Sequence, residues 1–496
     1  MVNIFFIIKR VLFIITITSI FFEPGYCLSK KNSPPFKSPN IIFIMADDLG
    51  WSDLPAYENK FNEAPNLDKL ASEGMRFVNA YTAGPVCSPT RASIQSGQYP
   101  ARVGVIDFIT GHWRPYEKVI VPKNRTQYLP QNIITIGEIL KDAGYATGYF
   151  GKWHLGNKSE HHPLNQGYNE ANVSQGRHYN VKFDPPCKVD SAKRLSELLT
   201  DFAEKFIKKH CYRPFFLFIS HYDVHVQLDA DHDLIEKYLN KDKLDDYPCN
   251  PVYAAMIEHL DRSVGRIVAE LKKNGLEEKS IVIFYSDNGG LILRGDKNTL
   301  IAPNSLKYQK DSPLKYIATS NTPLRSEKGT VYEGGIRVPL IVRWPNIIKP
   351  GTICDALVTS VDFYPTFLEL ASAEKPNDQI LDGKSIVSEF FENKYNYERA
   401  IYWHYPVYHH DVPASAIRKG NWKLIENLVT KELTLYNLKF NMSESNDLKS
   451  IYPAKTQELY SLLKNWQKEV GARFPVSNPD FDPLKREEMG RHPDRN

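Results

Sequence analysis

Short apolar runs recur along this chain, each followed by a stretch long enough for one helix. "IIFIM" (41–45), "YATGYF" (145–150), "PFFLFIS" (214–220), "SIVIFYS" (280–286) and "VPLIVRW" (338–344) are too short for core helices and too uniformly apolar for half-exposed strands. Between them stand helical patterns: "NLDKLASEGM", "IGEILKDAG", "SAKRLSELLTDFAEKFIKK" and the long "VYAAMIEHLDRSVGRIVAELKKNG". Strands buried on both faces and alternating with helices predict an α/β fold with a large, mostly parallel sheet flanked by helices. After about residue 385 the rhythm changes. "AIYWHY", "ASAIRKGNWKLIEN" and "LTLYNL" read as a smaller antiparallel sheet, with "KTQELYSLLKNWQKEV" as a helix covering it. The expected division is a catalytic domain over 39–382, a C-terminal subdomain over 383–475 and a loose polar tail over 476–496.

A chain of 496 residues exceeds one ordinary core, which agrees with a large domain plus a smaller one. The net charge of +4 is too small for this length to argue for nucleic acid or a membrane surface as partner. Lys9 and Arg10 precede the run Val11–Phe22, which suits a secretory signal and is short for a membrane span. Residues 1–27 are therefore expected to be a signal peptide, an uncleaved anchor being the alternative, and the chain to be secreted, lysosomal or periplasmic. An oxidising compartment would let Cys187, Cys211, Cys249 and Cys354 form disulfides, in any of three pairings. Asn124, Asn157, Asn172 and Asn441 stand in glycosylation sequons.

In open α/β sheets ligands bind beyond the carboxyl ends of the strands. Asp47 and Asp48 follow the first strand; Lys152 and His154 follow the second; His221 and His225 follow the third; Asp287 and Asn288 follow the fourth. Any one pair could be a turn or cap. Together, Asp47, Asp48, Asp287 and Asn288 offer only oxygen donors, suited to Ca²⁺ or Mg²⁺. Lys152, His154 and His225 supply donors for an oxyanion. In "CSPTR", Pro89 fits a first helical position with Ser88 as cap, so Cys87 would precede a helix N-terminus that favours anions, with Arg91 about one turn on. A buried or disulfide-bonded Cys87 is the plain alternative.

"CSPTR" with its continuation "RASIQSGQYPARVG", "NIIFIMADDLGWSDL", "GYFGKWHLG", "YSDNGG" and "TPLRSEKGTVYEGGIRVP" resemble, in order, the motifs of the type I sulfatases, the arylsulfatase family within the alkaline phosphatase superfamily. The resemblance spans roughly residues 39 to 470. It implies an alkaline-phosphatase-like fold and sulfuric ester hydrolysis. It implies that a maturation enzyme oxidises Cys87 to Cα-formylglycine, whose hydrate attacks sulfur. It further implies that Asp47, Asp48, Asp287, Asn288 and the residue derived from Cys87 bind calcium. Arg91 and Lys152 would hold formylglycine, His154 would help collapse the sulfated hemiacetal, and Lys328 and His225 would contact sulfate. One departure is "DVHVQL", with Gln227 where the family often has proline; the register favours His225 over His221. Two other functions compete: a phosphonate or phosphodiester hydrolase of the same superfamily, and a non-catalytic protein binding sulfated glycans.

The sulfate-binding residues cannot distinguish one sulfated alcohol from another, so specificity must come from loops around the mouth. "AIYWHYPVYHHDVPASAIRKGNWKLIE" concentrates Trp403, His404, Tyr405, His409 and His410. Rings and imidazoles suit a sugar, which predicts a sulfated galactose or N-acetylgalactosamine substrate with His404 lining its subsite. The alternative is that "YWHYP" packs the small sheet on the large domain.

Overall fold

The computed structural model describes residues 38–123, 125–293, 298–391 and 398–494. The expected signal peptide and the sequon at Asn124 lie outside them. Among the described residues no helix is long and apolar enough to cross a membrane.

The apolar runs do build one large sheet. Its nine strands lie in the order Thr352–Cys354, Met75–Phe77, Leu340–Arg343, Ser280–Ser286, Asn40–Ala46, Phe215–Ser220, Ala146–Gly151, Glu170–Ser174 and Phe183–Asp184. The five from Ser280–Ser286 to Glu170–Ser174 are mutually parallel. Leu340–Arg343 runs antiparallel to both its neighbours. Period-two alternation splits the central strand between two cores. Ile42, Ile44 and Ala46 join the cluster that includes Leu199, Phe206, Ile257 and Leu260, from helices Leu195–Lys209 and Pro251–Lys273. Phe43 faces the other way, with its ring 4.8 Å from Phe363 and 5.7 Å from Phe367 on helix Phe363–Ala371. Helices on both faces explain why these strands show no polar alternation.

The C-terminal rhythm is a four-stranded antiparallel meander, Ala400–Tyr405, Ala414–Lys419, Trp422–Asn427 and Leu433–Asn437. Ile417, Leu424 and Leu435 pack under Leu459, Leu463 and Trp466 of helix Pro453–Glu469. The opposite face, with Ile401, Trp403 and Ile425, closes on Tyr81 and Val86, and Trp403 Nε1 donates to the Thr82 carbonyl at 2.7 Å. Residues from Ser38 onward form one compact unit. At the expected boundary, Arg102 Nη2 donates to the Asp382 carboxylate at 2.7 Å.

Two expectations are corrected. The polar tail is not loose: Val476–Ser477 pairs with Val119–Ile120, Asn478 Nδ2 donates to the Glu117 carbonyl at 2.7 Å, and Gly490 N donates to the Trp113 carbonyl at 2.9 Å. Its anchors are backbone groups, which side-chain polarity does not reveal. Nor do the four cysteines form two bridges, because Cys187, Cys211 and Cys249 are free thiols. Cys249 is buried and takes a hydrogen bond from Leu244 N at 3.2 Å.

Candidate active site

Four adjacent parallel strands end along one edge, so the residues that follow them are forced together. Backbone hydrogen bonds stitch these ends: Asp47 N to the Asp223 carbonyl at 2.8 Å, Val224 N to the Asp47 carbonyl at 2.7 Å, and Lys152 N to the Ser220 carbonyl at 2.9 Å. Gly151 makes the last approach possible. Its φ is +119°, and a Cβ there would lie 1.8 Å from the Ser220 carbonyl oxygen. Asp48 and His154 also adopt the left-handed region, at φ +65° and +59°, a strained conformation for non-glycine residues that turns their side chains out of strand geometry.

The buried helix Cys87–Ser96 delivers the remaining pieces. Cys87 itself starts the helix and Val86 is the N-cap, which corrects the expected start at Pro89. Ser88 does not cap either; its hydroxyl donates to the His154 carbonyl at 2.9 Å. Arg91 is fully buried. Its Nε and Nη2 donate to Asp287 Oδ2 at 3.0 and 2.6 Å, and its Nη1 to the Lys152 carbonyl at 2.7 Å and the Ser220 hydroxyl at 2.6 Å. His154 Nε2 lies 2.6 Å from the Ile109 carbonyl and must donate to it, which leaves Nδ1 as an acceptor 3.1 Å from Cys87 Sγ.

Three carboxylates thus face three cations. Lys152 Nζ reaches Asp47 Oδ2 at 2.6 Å, and Lys328 Nζ lies 2.6 and 2.8 Å from the two oxygens of Asp48. Burial opposes ionisation of Asp48, but Lys328, His225 and Lys152 overcome it and hold the carboxyl well below its ordinary range. Asp287 goes the other way, raised to about 6 by burial and by the charge of Asp47. Lys152 and Lys328 stay firmly protonated, since their carboxylate neighbours outweigh burial.

The donor set fits a hard cation. Asp47 Oδ1 and Asn288 Oδ1 are buried with no hydrogen-bond partner, an expensive condition that a metal ion relieves. Asn288 Nδ2 donates to Asp48 Oδ1 at 2.8 Å, and Asp48 N to Asp287 Oδ1 at 3.2 Å, so all four oxygen-bearing residues are neighbours. Asp47, Asp48 and His225 place one potential ligand atom each within 4.8 Å of one another.

The two histidines of the third strand end separate cleanly. His221 is wholly buried, and its Nε2 meets the Ser263 hydroxyl at 3.1 Å behind the site. His225 Nδ1 donates to its neighbour's carbonyl, and Nε2 lies 3.7 Å from Asp48 Oδ2. His404 does not line the mouth. Its Nδ1 pairs with the Ser415 hydroxyl at 2.7 Å and its Nε2 with the Arg473 carbonyl at 2.8 Å. Both nitrogens are consumed inside the subdomain, the packing role that was the alternative for "YWHYP". Sequence reasoning missed Ser220, whose hydroxyl also donates to the Lys152 carbonyl at 2.7 Å. It also missed the 105–114 loop; its only signal is the run of Phe108, His112, Trp113 and Arg114 a few residues past the nucleophile helix.

Comparison with known proteins agrees with this geometry. The family model described as Sulfatase matches residues 39–373, and one described as N-sulphoglucosamine sulphohydrolase, C-terminal, matches 326–471. A sulfatase of Formosa agariphila is 32% identical, the match covering 89% of this chain and 90% of that protein. The N-acetylgalactosamine-6-sulfatase of Canis lupus familiaris is 28% identical over 88% of this chain and 82% of its own. Among solved structures, Ps i-CgsB superposes with a TM-score of 0.73 at 26% identity, covering 90% of this chain and 95% of that one. Buried motif residues in family order, meeting at one sheet edge, place this chain in the sulfatase family of sulfuric ester hydrolases, within the alkaline phosphatase superfamily.

Proposed function

We propose that the protein removes sulfate from a glycan, a galactose or N-acetylgalactosamine sulfate, using formylglycine derived from Cys87 and a calcium ion. The observation that carries this is the setting of Cys87: the first residue of a buried helix, hydrogen-bonded to His154 and beside Lys152, Lys328 and the oxygen cluster. Burial raises the Cys87 thiol despite those two lysines, so the unmodified side chain is a poor nucleophile there. Conversion to formylglycine supplies a geminal diol at the same position. Calcium, held by Asp47, Asp48, Asp287 and Asn288 with the matured residue 87, would supply charge for a sulfate oxygen.

The chain's own residues do the rest. Lys328 and His225 line the sulfate position, and Lys328, held protonated beside Asp48, can return a proton to the leaving alcohol. His154 Nδ1, fixed as the basic nitrogen by the Ile109 carbonyl, takes a proton from the group at position 87. Arg91 and Lys152 keep residue 87 and Asp47 in register. The glycan part of the proposal is supported by relatives named N-acetylgalactosamine-6-sulfatase and by Ps i-CgsB solved with a neocarrahexaose. The proposal also takes residues 1–27 as an export signal and "CSPTR" as the element read by a formylglycine-generating enzyme.

Mass spectrometry of the tryptic peptide containing position 87 tests the nucleophile: maturation lowers its mass by about 18 Da, and Cys87→Ala should abolish nearly all turnover. Parallel assays on a sulfate ester and a phosphonate monoester separate the superfamily's two chemistries. A Cys87→Ala protein with wild-type sulfatase activity would refute the proposal.

A further inference from the structure

The subdomain does reach the mouth of the site, through His409 and His410 rather than His404. Strand Ala400–Tyr405 ends before them, and the chain folds over the Lys328 loop. His410 Nδ1 lies 2.7 Å from the Lys328 carbonyl and donates to it. His409 Nδ1, 3.2 Å from His410 Nδ1, accepts from the same ring. Gly329, at φ +82°, is what lets the ring in: a Cβ there would lie 2.1 Å from His409 Nδ1.

The 105–114 loop closes the arrangement from the other side. Ile109 accepts from His154 and donates to the Ser88 hydroxyl at 3.2 Å, so this loop leans on the nucleophile helix. Three residues on, His112 stacks on His409 with ring centroids 4.9 Å apart and planes 27° apart. Phe108 closes edge-on against both rings, at 4.9 and 5.7 Å. Arg114 Nη2 donates to the His409 carbonyl at 2.9 Å.

This is a polar wall with spare capacity. His112 Nδ1 and Arg114 Nε are buried without a partner, and Nε2 of His409 and of His410 has no hydrogen-bond partner among the described residues. His404, whose role is purely structural, consumes both of its ring nitrogens, whereas these groups are left open. Burial holds His112 down to about 4 and His409 well below its ordinary value. Both are therefore neutral near pH 7; His409 keeps an Nε2–H donor and His112 one donor and one acceptor, which matches hydroxyls better than a second anion.

We infer that His112, His409 and His410, with Arg114 behind them, form the subsite for the sugar that bears the scissile sulfate, and read its ring hydroxyls. This rests on the proposed glycan reading and adds the residues that select the alcohol. The probes are N-acetylgalactosamine 6-sulfate, galactose 6-sulfate and 4-nitrophenyl sulfate, with the matured enzyme. His112→Phe keeps the ring stack while removing both nitrogens, and His409→Ala removes the wall's centre. Each should lower kcat/KM on the sulfated sugars about tenfold more than on the aryl sulfate. If His409→Ala lowers the melting temperature, His112→Phe decides. Equal losses on sugar and aryl sulfate, or no loss on the sugars, would overturn the subsite while leaving the glycan reading intact. A wild-type enzyme that cleaves the aryl sulfate and no sulfated sugar would overturn both.

Discussion

At the scale of single residues, the site is defined by groups that the protein alone leaves unsatisfied. Asp47 Oδ1 and Asn288 Oδ1 have no partner, and Asp48 is bent into the left-handed region at φ +65° to present both oxygens to one point. Strain and orphaned acceptors are costs that an evolved core does not keep without return. In the proposed enzyme the return is calcium affinity. Asp48→Asn keeps the shape and removes one charge, so half-saturating calcium for activity should rise at least about tenfold while the fold survives. Calcium titration of chelator-treated wild type and variant, followed by activity and by circular dichroism, checks it. An unchanged rate after exhaustive metal removal would make Asp47, Asp48, Asp287 and Asn288 structural turns.

At the scale of elements, the subdomain is held by a buried charge cluster as well as by Trp403. Lys423, on strand Trp422–Asn427, is fully buried between Glu333 Oε1 at 2.9 Å and Glu444 Oε1 at 2.8 Å. Glu333 also takes the Tyr81 hydroxyl at 2.7 Å, and Glu444 takes Glu333 N at 2.7 Å. Lys423→Met would leave two carboxylates buried together and should cost about 3–5 kcal/mol in chemical denaturation. Adding Glu444→Gln should recover part of the loss, because burial already pushes Glu444 toward its neutral form. A Lys423→Met protein as stable as wild type would show that hydrophobic contacts alone join the parts. This cluster was illegible in the sequence, since a strand lysine ordinarily marks a solvated face. The parallel sheet and its acidic edge were legible because buried strands carry no polar alternation, and because four strand ends repeat one logic. The tail was not, and of the histidine wall only His409 and His410 stood out, without His112. The first is anchored by backbone, and the second unites loops some 300 residues apart by tertiary contact. His404 and His409 are alike in composition, and only the neighbours of their ring nitrogens tell them apart.

At the scale of the whole molecule, buried histidines should set the pH range of stability. Burial holds His221 and His404 down to about 4 and His178 to about 3, and His112 to about 4. Hydrogen bonding enforces the neutral state at two of them. His178 donates from Nε2 to the His225 carbonyl and accepts at Nδ1 from Arg194, and His404 donates to Arg473 and accepts from Ser415. Each of these folded values lies below the unfolded one of about 6.5. Between the two the unfolded chain binds more protons, so stability is complete above about pH 6.5 and falls as the pH drops toward 4. Four buried acids work against this. Burial raises Asp107, Asp261 and Asp287 to about 6 and Glu444 to about 7, so the folded state holds their protons and gains stability on acidification across the same range. His225 and His259, held down by burial to about 3 and about 4, join the four histidines above, and six histidines against four acids leave the histidines dominant. The melting temperature should therefore fall from pH 7 to pH 5, and His404→Asn, which removes one of the titrating groups, should shrink that fall while lowering stability at pH 7. Differential scanning calorimetry on both proteins checks the sign; a melting temperature that holds or rises down to pH 5 would mean that the buried acids, not the histidines, govern the acid limb.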